Sequence, residues 1–343
     1  MYRPDDWHVH FRWGKMMEHV IPYTAKLFGR ALVMPNLTQE GMILNADHAR
    51  IVWQEVYDSA TAHKCPYFTP VVSIRLTPQT TPEIIQEAKD DFGLLVAKLY
   101  PDGVTTGSEG GVSDFSALGE VFSKMQELDI VLSLHGELPG ATPLTAEQEF
   151  IPVLEELLKD FPTLRVVVEH ITTREMLEVV HRFNQDRGRI GATITAHHLV
   201  LTTDQVYMNG KVAFPHNYCK PVAKTKADQE ALVRVATSGC GYIWFGSDTA
   251  PHSVAKKECE NPAAGVFSAP VALPVLAEVF EAADSLDKLE SFIGIYGAEF
   301  YGLDRNARHI TFKKKSWQVP MICRGDVVPF LAGQQLSWQV TPS

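Results

Sequence analysis

The stretch Trp7-His8-Val9-His10-Phe11-Arg12 reads as a short strand whose end carries polar chemistry. On extended backbone, successive side chains alternate, so His8, His10 and Arg12 share one face. Two imidazoles at i and i+2 converge on one divalent ion, and the guanidinium sets a fixed cation beside it. That arrangement suits the hydrolysis or polarisation of an anionic substrate. A bare His-x-His is a weak signal, and its weight here comes from what recurs along the chain.

Seven more short apolar runs follow, at 31–35, 67–74, 94–100, 130–135, 165–171, 190–195 and 242–246. Between them lie stretches with apolar residues three and four apart, at 47–63, 82–91, 115–128, 147–160, 173–184 and 226–238, a helical period. Strands alternating with helices predict an α/β fold with a parallel sheet, and eight is the strand count of a closed (β/α)8 TIM barrel. The 343 residues are expected to form a single barrel domain, 1–343. Its last part, 266–343, is read as an extension of two more helices and an irregular tail at 321–340, packed on the barrel. Polar residues gather where runs end. His8 and His10 close the first run, Asn36 follows the second and Lys98 lies in the fourth; His135, His170 and His198 mark the ends of the fifth to seventh, and Asp248 and His252 follow the eighth. In a barrel these positions share the C-terminal rim, where barrel active sites are built.

Composition narrows the function classes. With 45% hydrophobic and 21% charged residues the chain is of ordinary globular type. Its formal charge of −10 argues against a nucleic-acid partner. The longest cationic run, Lys313-Lys314-Lys315, is read as a solvated turn. No apolar stretch approaches the length of a membrane span, and the first residues lack a signal-peptide apolar region, so a cytoplasmic enzyme that binds no membrane is expected. The five cysteines form no C-x-x-C pair and are read as reduced thiols.

The residues at the strand ends each have a plain structural reading and a chemical one. Lys98, inside Leu94-Leu95-Val96-Ala97-Lys98-Leu99-Tyr100, either snorkels to the rim or pairs with an acid. As a neutral amine it can instead add carbon dioxide, giving a carboxylate on a long stem that bridges two cations. His135 and His170, at equivalent ends of successive strands, read as ligands of a second metal. Asp248 is either a turn residue or a metal-bound carboxylate that moves protons. His252 either caps a turn or binds an anion. The glycine-rich loop 103–111 reads as a mobile surface loop or a lid, with Thr105 and Thr106 as its donors. Glu169, His197 and His198 stay open between structural and ligand-orienting roles.

Taken in order, Asp6-Trp7-His8-Val9-His10-Phe11-Arg12, Met34-Pro35-Asn36, Lys98-Leu99-Tyr100-Pro101, His135-Gly136-Glu137, Glu169-His170-Ile171-Thr172-Thr173 and Ser247-Asp248-Thr249-Ala250-Pro251-His252 resemble the dihydroorotase family. The likeness is to its shorter, stand-alone type within the amidohydrolase superfamily. It runs from about residue 3 to about residue 338, past Val328-Pro329-Phe330-Leu331-Ala332-Gly333. The resemblance implies two zinc ions per subunit, bridged by Lys98 as N6-carboxylysine and by a hydroxide. His8, His10, Lys98 and Asp248 would hold one ion; Lys98, His135 and His170 would hold the other. It implies a substrate-carboxylate site of Arg12, Asn36 and His252, further substrate contacts from His135, Ala264 and the main chain of Lys220, and a closing loop with Thr105 and Thr106. The implied reaction is reversible hydrolysis of L-dihydroorotate to N-carbamoyl-L-aspartate in pyrimidine synthesis, with Asp248 moving the proton, in a homodimer. Two rivals remain: a hydantoinase- or allantoinase-like cyclic amidohydrolase without the anion pocket, and a non-catalytic scaffold.

Overall fold

The computed structural model describes residues 1–36, 42–184 and 188–343. Each of the eight apolar runs overlaps one parallel strand. These are β1 (Asp5–Val9), β2 (Arg30–Val33), β3 (Thr69–Val72, continued past Ser73 by Ile74–Leu76), β4 (Val96–Leu99), β5 (Val131–Leu134), β6 (Val166–Val168), β7 (Ile190–Ile194) and β8 (Ile243–Phe245). β1 pairs with β2 and β2 with the first half of β3. The second half of β3 pairs with β4, and the ladder continues in parallel through β8. The ring closes where His10 N–H donates to the Thr249 carbonyl at 2.9 Å, beside a parallel bridge from Val9 to Thr249.

Alternation along the strands divides inside from outside. Val96, Val131 and Val167 share an apolar cluster within the barrel with Trp7 and Trp244, whereas Ala97, Leu132, Leu134, Val166 and Val168 pack outward under the helices. Gly191 makes room for the Trp244 ring, since a Cβ there would stand 2.2 Å from it. Two residues further along the inward faces come Lys98, Ser133, Glu169 and Thr193, all fully buried or nearly so. The inside of the barrel is thus apolar at its base and polar towards the rim, and the pattern of the strands alone produces that gradient.

All six expected helices are present: Ala46–Ala62, Pro82–Phe92, Gly119–Glu127, Ala146–Asp160, Arg174–Asn184 and Lys226–Ala236. Their ends follow capping rules. Asn45 accepts from His48 N–H, and Pro82 opens a helix that Thr81 caps and a left-handed Gly93 ends. A further helix, Lys15–Ala25, joins β1 to β2 and was not among the expected ones; it carries Pro22 in its interior. None of the helices among the described residues is long and apolar enough to cross a membrane.

The C-terminal region differs from expectation in two ways. It holds three helices, Ala272–Ala282, Leu286–Gly294 and Tyr296–Phe300, rather than two, and Tyr301 stacks on Trp7 at 4.4 Å to close the barrel base. The tail is not irregular throughout. Gln335–Pro342 pairs antiparallel with Ile310–Gln318, so Lys313, Lys314 and Lys315 lie on a strand and not in a turn. The hairpin is exposed, which lets lysines occupy it, and it docks on the Ala272–Ala282 helix through Ser337 and Trp338, which bond Glu278 and Glu281.

Candidate active site

The pocket at the C-terminal rim, together with the solvent space at its mouth, takes up roughly 340 Å³. His8, His10, Arg12, Asn36, Thr105, Thr106, His135, His170, Lys220, Asp248 and Ala264 all line it. Of the remaining expected residues, Lys98 lies fully buried and His252 stands behind Arg12. Three of the site residues, Arg12, His170 and Asp248, have positive φ (65°, 41° and 43°). Backbone in this region is costly for residues with a Cβ, and it persists where the surrounding structure fixes it.

His8 Nε2 and His10 Nε2 stand 3.2 Å apart, and Asp248 Oδ1 lies 3.5 Å from the first and 3.1 Å from the second. His8 Nδ1 is engaged by Glu169 Oε2 at 2.9 Å. Glu169 also accepts from Ser133 Oγ at 2.6 Å and Thr193 Oγ1 at 2.7 Å. With Nδ1–H donating to a carboxylate, the lone pair of His8 sits on Nε2 and faces Asp248. Burial raises the Glu169 carboxyl, but His8, Lys98 and the Ser133 hydrogen bond outweigh it, and its pKa is lowered.

The second expected ligand set surrounds the same space. The His135 and His170 rings are 4.8 Å apart, and the His8 and His170 rings 4.9 Å. His135 Nε2 meets Glu137 Oε2 at 2.7 Å, which leaves Nδ1 for the pocket. Burial, with help from neighbouring cations, holds His10 and His170 far below the usual imidazole range, so both are neutral and offer lone pairs. Lys98 has no exposed surface, and its Nζ has no hydrogen-bond partner. Burial lowers its pKa to about 8 despite Glu169 and Asp248. Asp248 is raised by burial, against the pull of His8, His198 and His135.

These residues fit a metal centre on their own chemistry. Three donor atoms of His8, His10 and Asp248 already lie at the spacing of ligands around one ion. A buried ammonium without a hydrogen-bond partner is costly, and a carbamate formed on Lys98 beside a bound cation would remove that cost.

Beside this centre lies a cationic corner. Arg12 Nε donates to the Pro251 carbonyl at 3.2 Å, and its Nη2 stands 2.9 Å from His252 Nε2. The same His252 nitrogen is 3.0 Å from the Ala264 carbonyl. A neutral Nε2 cannot accept from Arg12 and donate to Ala264 at once. With Nε2–H donating to the Ala264 carbonyl, an Arg12 N–H is left without an acceptor, which a substrate carboxylate would supply. Burial and Arg12 push His252 down to about 2, and burial takes Arg12 to about 10. Asn36 Nδ2 donates to the Thr106 carbonyl at 3.1 Å, and Thr106 Oγ1 to the Ala264 carbonyl at 3.3 Å, so the loop after β4 lies across the pocket. Gly265, next to Ala264, has a φ of 147°, and a Cβ there would stand 2.6 Å from the Ala250 carbonyl oxygen.

Several residues of the site were not foreseen. Tyr100 lines the pocket with a buried hydroxyl that has no partner. Its place two residues beyond Lys98 on one strand face was the available signal. Lys257 bonds the carbonyls of Tyr218, Ala263 and Gly265 at 3.0, 2.8 and 2.7 Å and so fixes the Ala264 segment. Nothing in Lys256-Lys257 marks it in the sequence. His197 and His198 do not line this pocket; they lie next to Cys219, with His198 near enough to Asp248 to act on its carboxyl.

Comparison with known proteins agrees with this geometry. The amidohydrolase family model matches residues 4–253. A curated dihydroorotase of Nitrosomonas eutropha is 42% identical over 344 aligned residues, which cover 98% of each chain. The crystal structure of dihydroorotase from Saccharomyces cerevisiae in complex with 5-fluoroorotic acid superposes with a TM-score of 0.92 at 36% identity, covering 100% of this chain and 98% of that one. L-hydantoinase from Arthrobacter aurescens, at 17% identity and a TM-score of 0.79 over 100% of this chain and 82% of that one, shares the fold.

Proposed function

This chain belongs to the dihydroorotase family of the amidohydrolases, and from that premise we propose that it interconverts L-dihydroorotate and N-carbamoyl-L-aspartate with the help of two zinc ions. The observation that carries the reading is the meeting, in one pocket, of the candidate metal ligands with Arg12, which His252 backs. A cyclic amidohydrolase acting on neutral rings has no use for that corner. The yeast relative's bound 5-fluoroorotic acid, a ring that carries a carboxylate, supports the same substrate class.

His8, His10, Asp248 and carboxylated Lys98 would hold one ion, and Lys98, His135 and His170 the other. When bound, the ions supply a hydroxide at neutral pH and polarise the ring carbonyl. The chain's own residues do the rest. Arg12 grips the substrate carboxylate with a two-pronged contact, and Asn36 and His252 complete that pocket. Ala264 and the main chain of Lys220 orient the ring. Asp248 takes a proton from the attacking water and returns it to the departing ring nitrogen. Thr105 and Thr106 close the pocket and exclude water. The chain acts as one barrel domain with residues 266–343 packed on it, in a cytoplasmic homodimer.

The test is turnover of dihydroorotate, hydantoin and allantoin by zinc-loaded and chelator-stripped protein, with the mass measured by sedimentation. Dihydroorotate should be the preferred ring by at least tenfold, and stripping should abolish activity. Faster turnover of the neutral rings, or no turnover with both ions bound, overturns the reading.

A further inference from the structure

Behind the segment that carries Lys220, a second group of ligand-type side chains is buried: His197, His198 and Cys219, with 0%, 2% and 0% of their surfaces exposed. One donor atom from each lies within 4.8 Å of the other two. Cys219 Sγ is 3.4 Å from His198 Nε2. The Pro221 carbonyl oxygen is 3.3 Å from that sulfur and 3.0 Å from that nitrogen. A tetrahedral ion with metal–nitrogen and metal–sulfur bonds of about 2.0–2.3 Å sets its ligand atoms roughly 3.3–3.7 Å apart. These three atoms already stand close to that spacing.

His197 supplies an independent observation. Its ring is fully buried and neither nitrogen has a hydrogen-bond partner. Buried polar groups are nearly always bonded, because leaving one unsatisfied forfeits its hydration without replacing it. A buried imidazole whose nitrogens bond nothing in the protein, next to a thiol and a second imidazole, is explained by a cation.

We propose that His197, His198, Cys219 and the Pro221 carbonyl form a further metal site, separate from the catalytic pocket and suited to a borderline-soft divalent ion such as zinc. Binding replaces the S–H bond of Cys219 with a sulfur–metal bond and releases that proton to solvent. His198 moves its ring proton from Nε2 to Nδ1, where Thr195 Oγ1, 2.9 Å away, turns from donor to acceptor. An ion held there would tie Cys219 to Pro221 and so fix the intervening Lys220, which lines the pocket.

Cobalt separates this site from the catalytic one. The catalytic donors are nitrogen and oxygen throughout, so a thiolate-to-cobalt charge-transfer band in the near ultraviolet reports cysteine ligation alone. Chelator-stripped full-length protein should develop that band on titration with cobalt. Cys219→Ser should abolish it, Cys259→Ser, which alters an exposed thiol, should leave it intact, and His197→Gln should weaken cobalt binding there by at least tenfold. Absence of the band in wild-type protein at cobalt saturation, or its survival in Cys219→Ser, overturns the proposal. Should Cys219→Ser fail to fold, His197→Gln decides, because the ring it removes makes no hydrogen bond; an unchanged band and affinity in that variant overturn it equally.

Discussion

His8 Nδ1 and Glu169 Oε2 lie 2.9 Å apart, and that contact fixes which nitrogen of His8 faces the pocket. Glu169 is itself held from both sides by the hydroxyls of Ser133 and Thr193. Carboxylates that orient metal-bound histidines typically matter 10–100-fold for affinity or activity. Glu169→Ala is therefore expected to lower both zinc affinity and kcat/KM by about that factor, and Glu169→Gln, which can still accept from Nδ1–H, to recover part of the loss. Metal analysis after graded chelation measures it; wild-type zinc retention by Glu169→Ala would show that His8 needs no such partner.

Arg12 is expected to act on affinity for the anionic ring. Removing one member of a buried charged hydrogen-bonded contact costs about 2–5 kcal/mol, or roughly 30- to several-thousand-fold. Arg12→Met should raise KM for dihydroorotate within that range, with a smaller effect on kcat. Arg12→Lys should restore only part of it, since an ammonium cannot make the two-pronged contact. Steady-state kinetics on the two variants decide the matter, and an unchanged KM in Arg12→Met would remove the carboxylate from that corner.

The barrel was legible because its strands are buried on both faces and so read as continuous apolar runs, with Lys98, His135 and His170 as conspicuous interruptions. The helix Lys15–Ala25 was not, because Pro22 in its interior reads as a stop, although tertiary packing tolerates it. The C-terminal strand Gln335–Pro342 has its partner at Ile310–Gln318, and a run of lysines in that partner hides the pairing. The role of Glu169 was left open for a related reason. Its three partners, His8, Ser133 and Thr193, are distant in sequence, and only ring closure brings them together. Residue types at strand ends thus point to candidate ligands, whereas the groups that hold those side chains in place emerge from the tertiary structure.

Asp6 gives a pH dependence to the metal-free protein. Fully buried, its carboxyl is pushed up to about 7 by burial, against hydrogen bonds from Ser247 and His8. A folded-state pKa above the unfolded one means that the folded form holds the proton more tightly. That contribution to stability is complete below the unfolded value, near 3.8, and fades as pH rises through about 7. A difference of about three units corresponds to on the order of 4 kcal/mol at most. Chelator-treated wild type should lose Tm between pH 5 and 8 more steeply than Asp6→Asn, whose amide oxygen still accepts both backbone N–H groups. Parallel Tm curves for the two proteins would rule Asp6 out as the source.

Lys98, proposed as the carbamate bridge, is expected to link carbon dioxide to metal binding. Only its neutral amine can attack carbon dioxide; the new nitrogen–carbon bond leaves a carbamate anion and releases one proton. Burial brings its pKa from 10.5 to about 8, so the reactive form increases as pH rises through that value. At a fixed concentration of dissolved carbon dioxide, recovery of activity by stripped protein on adding zinc should speed up about tenfold per pH unit below 8 and level off above it. Lys98→Met, which preserves the packing volume but cannot form a carbamate, should hold neither ion firmly and should lose at least a thousandfold in kcat/KM. Recovery that ignores both carbon dioxide and pH in the wild type, or two firmly bound zinc ions in Lys98→Met, would show that the bridge between the ions is made by some other group.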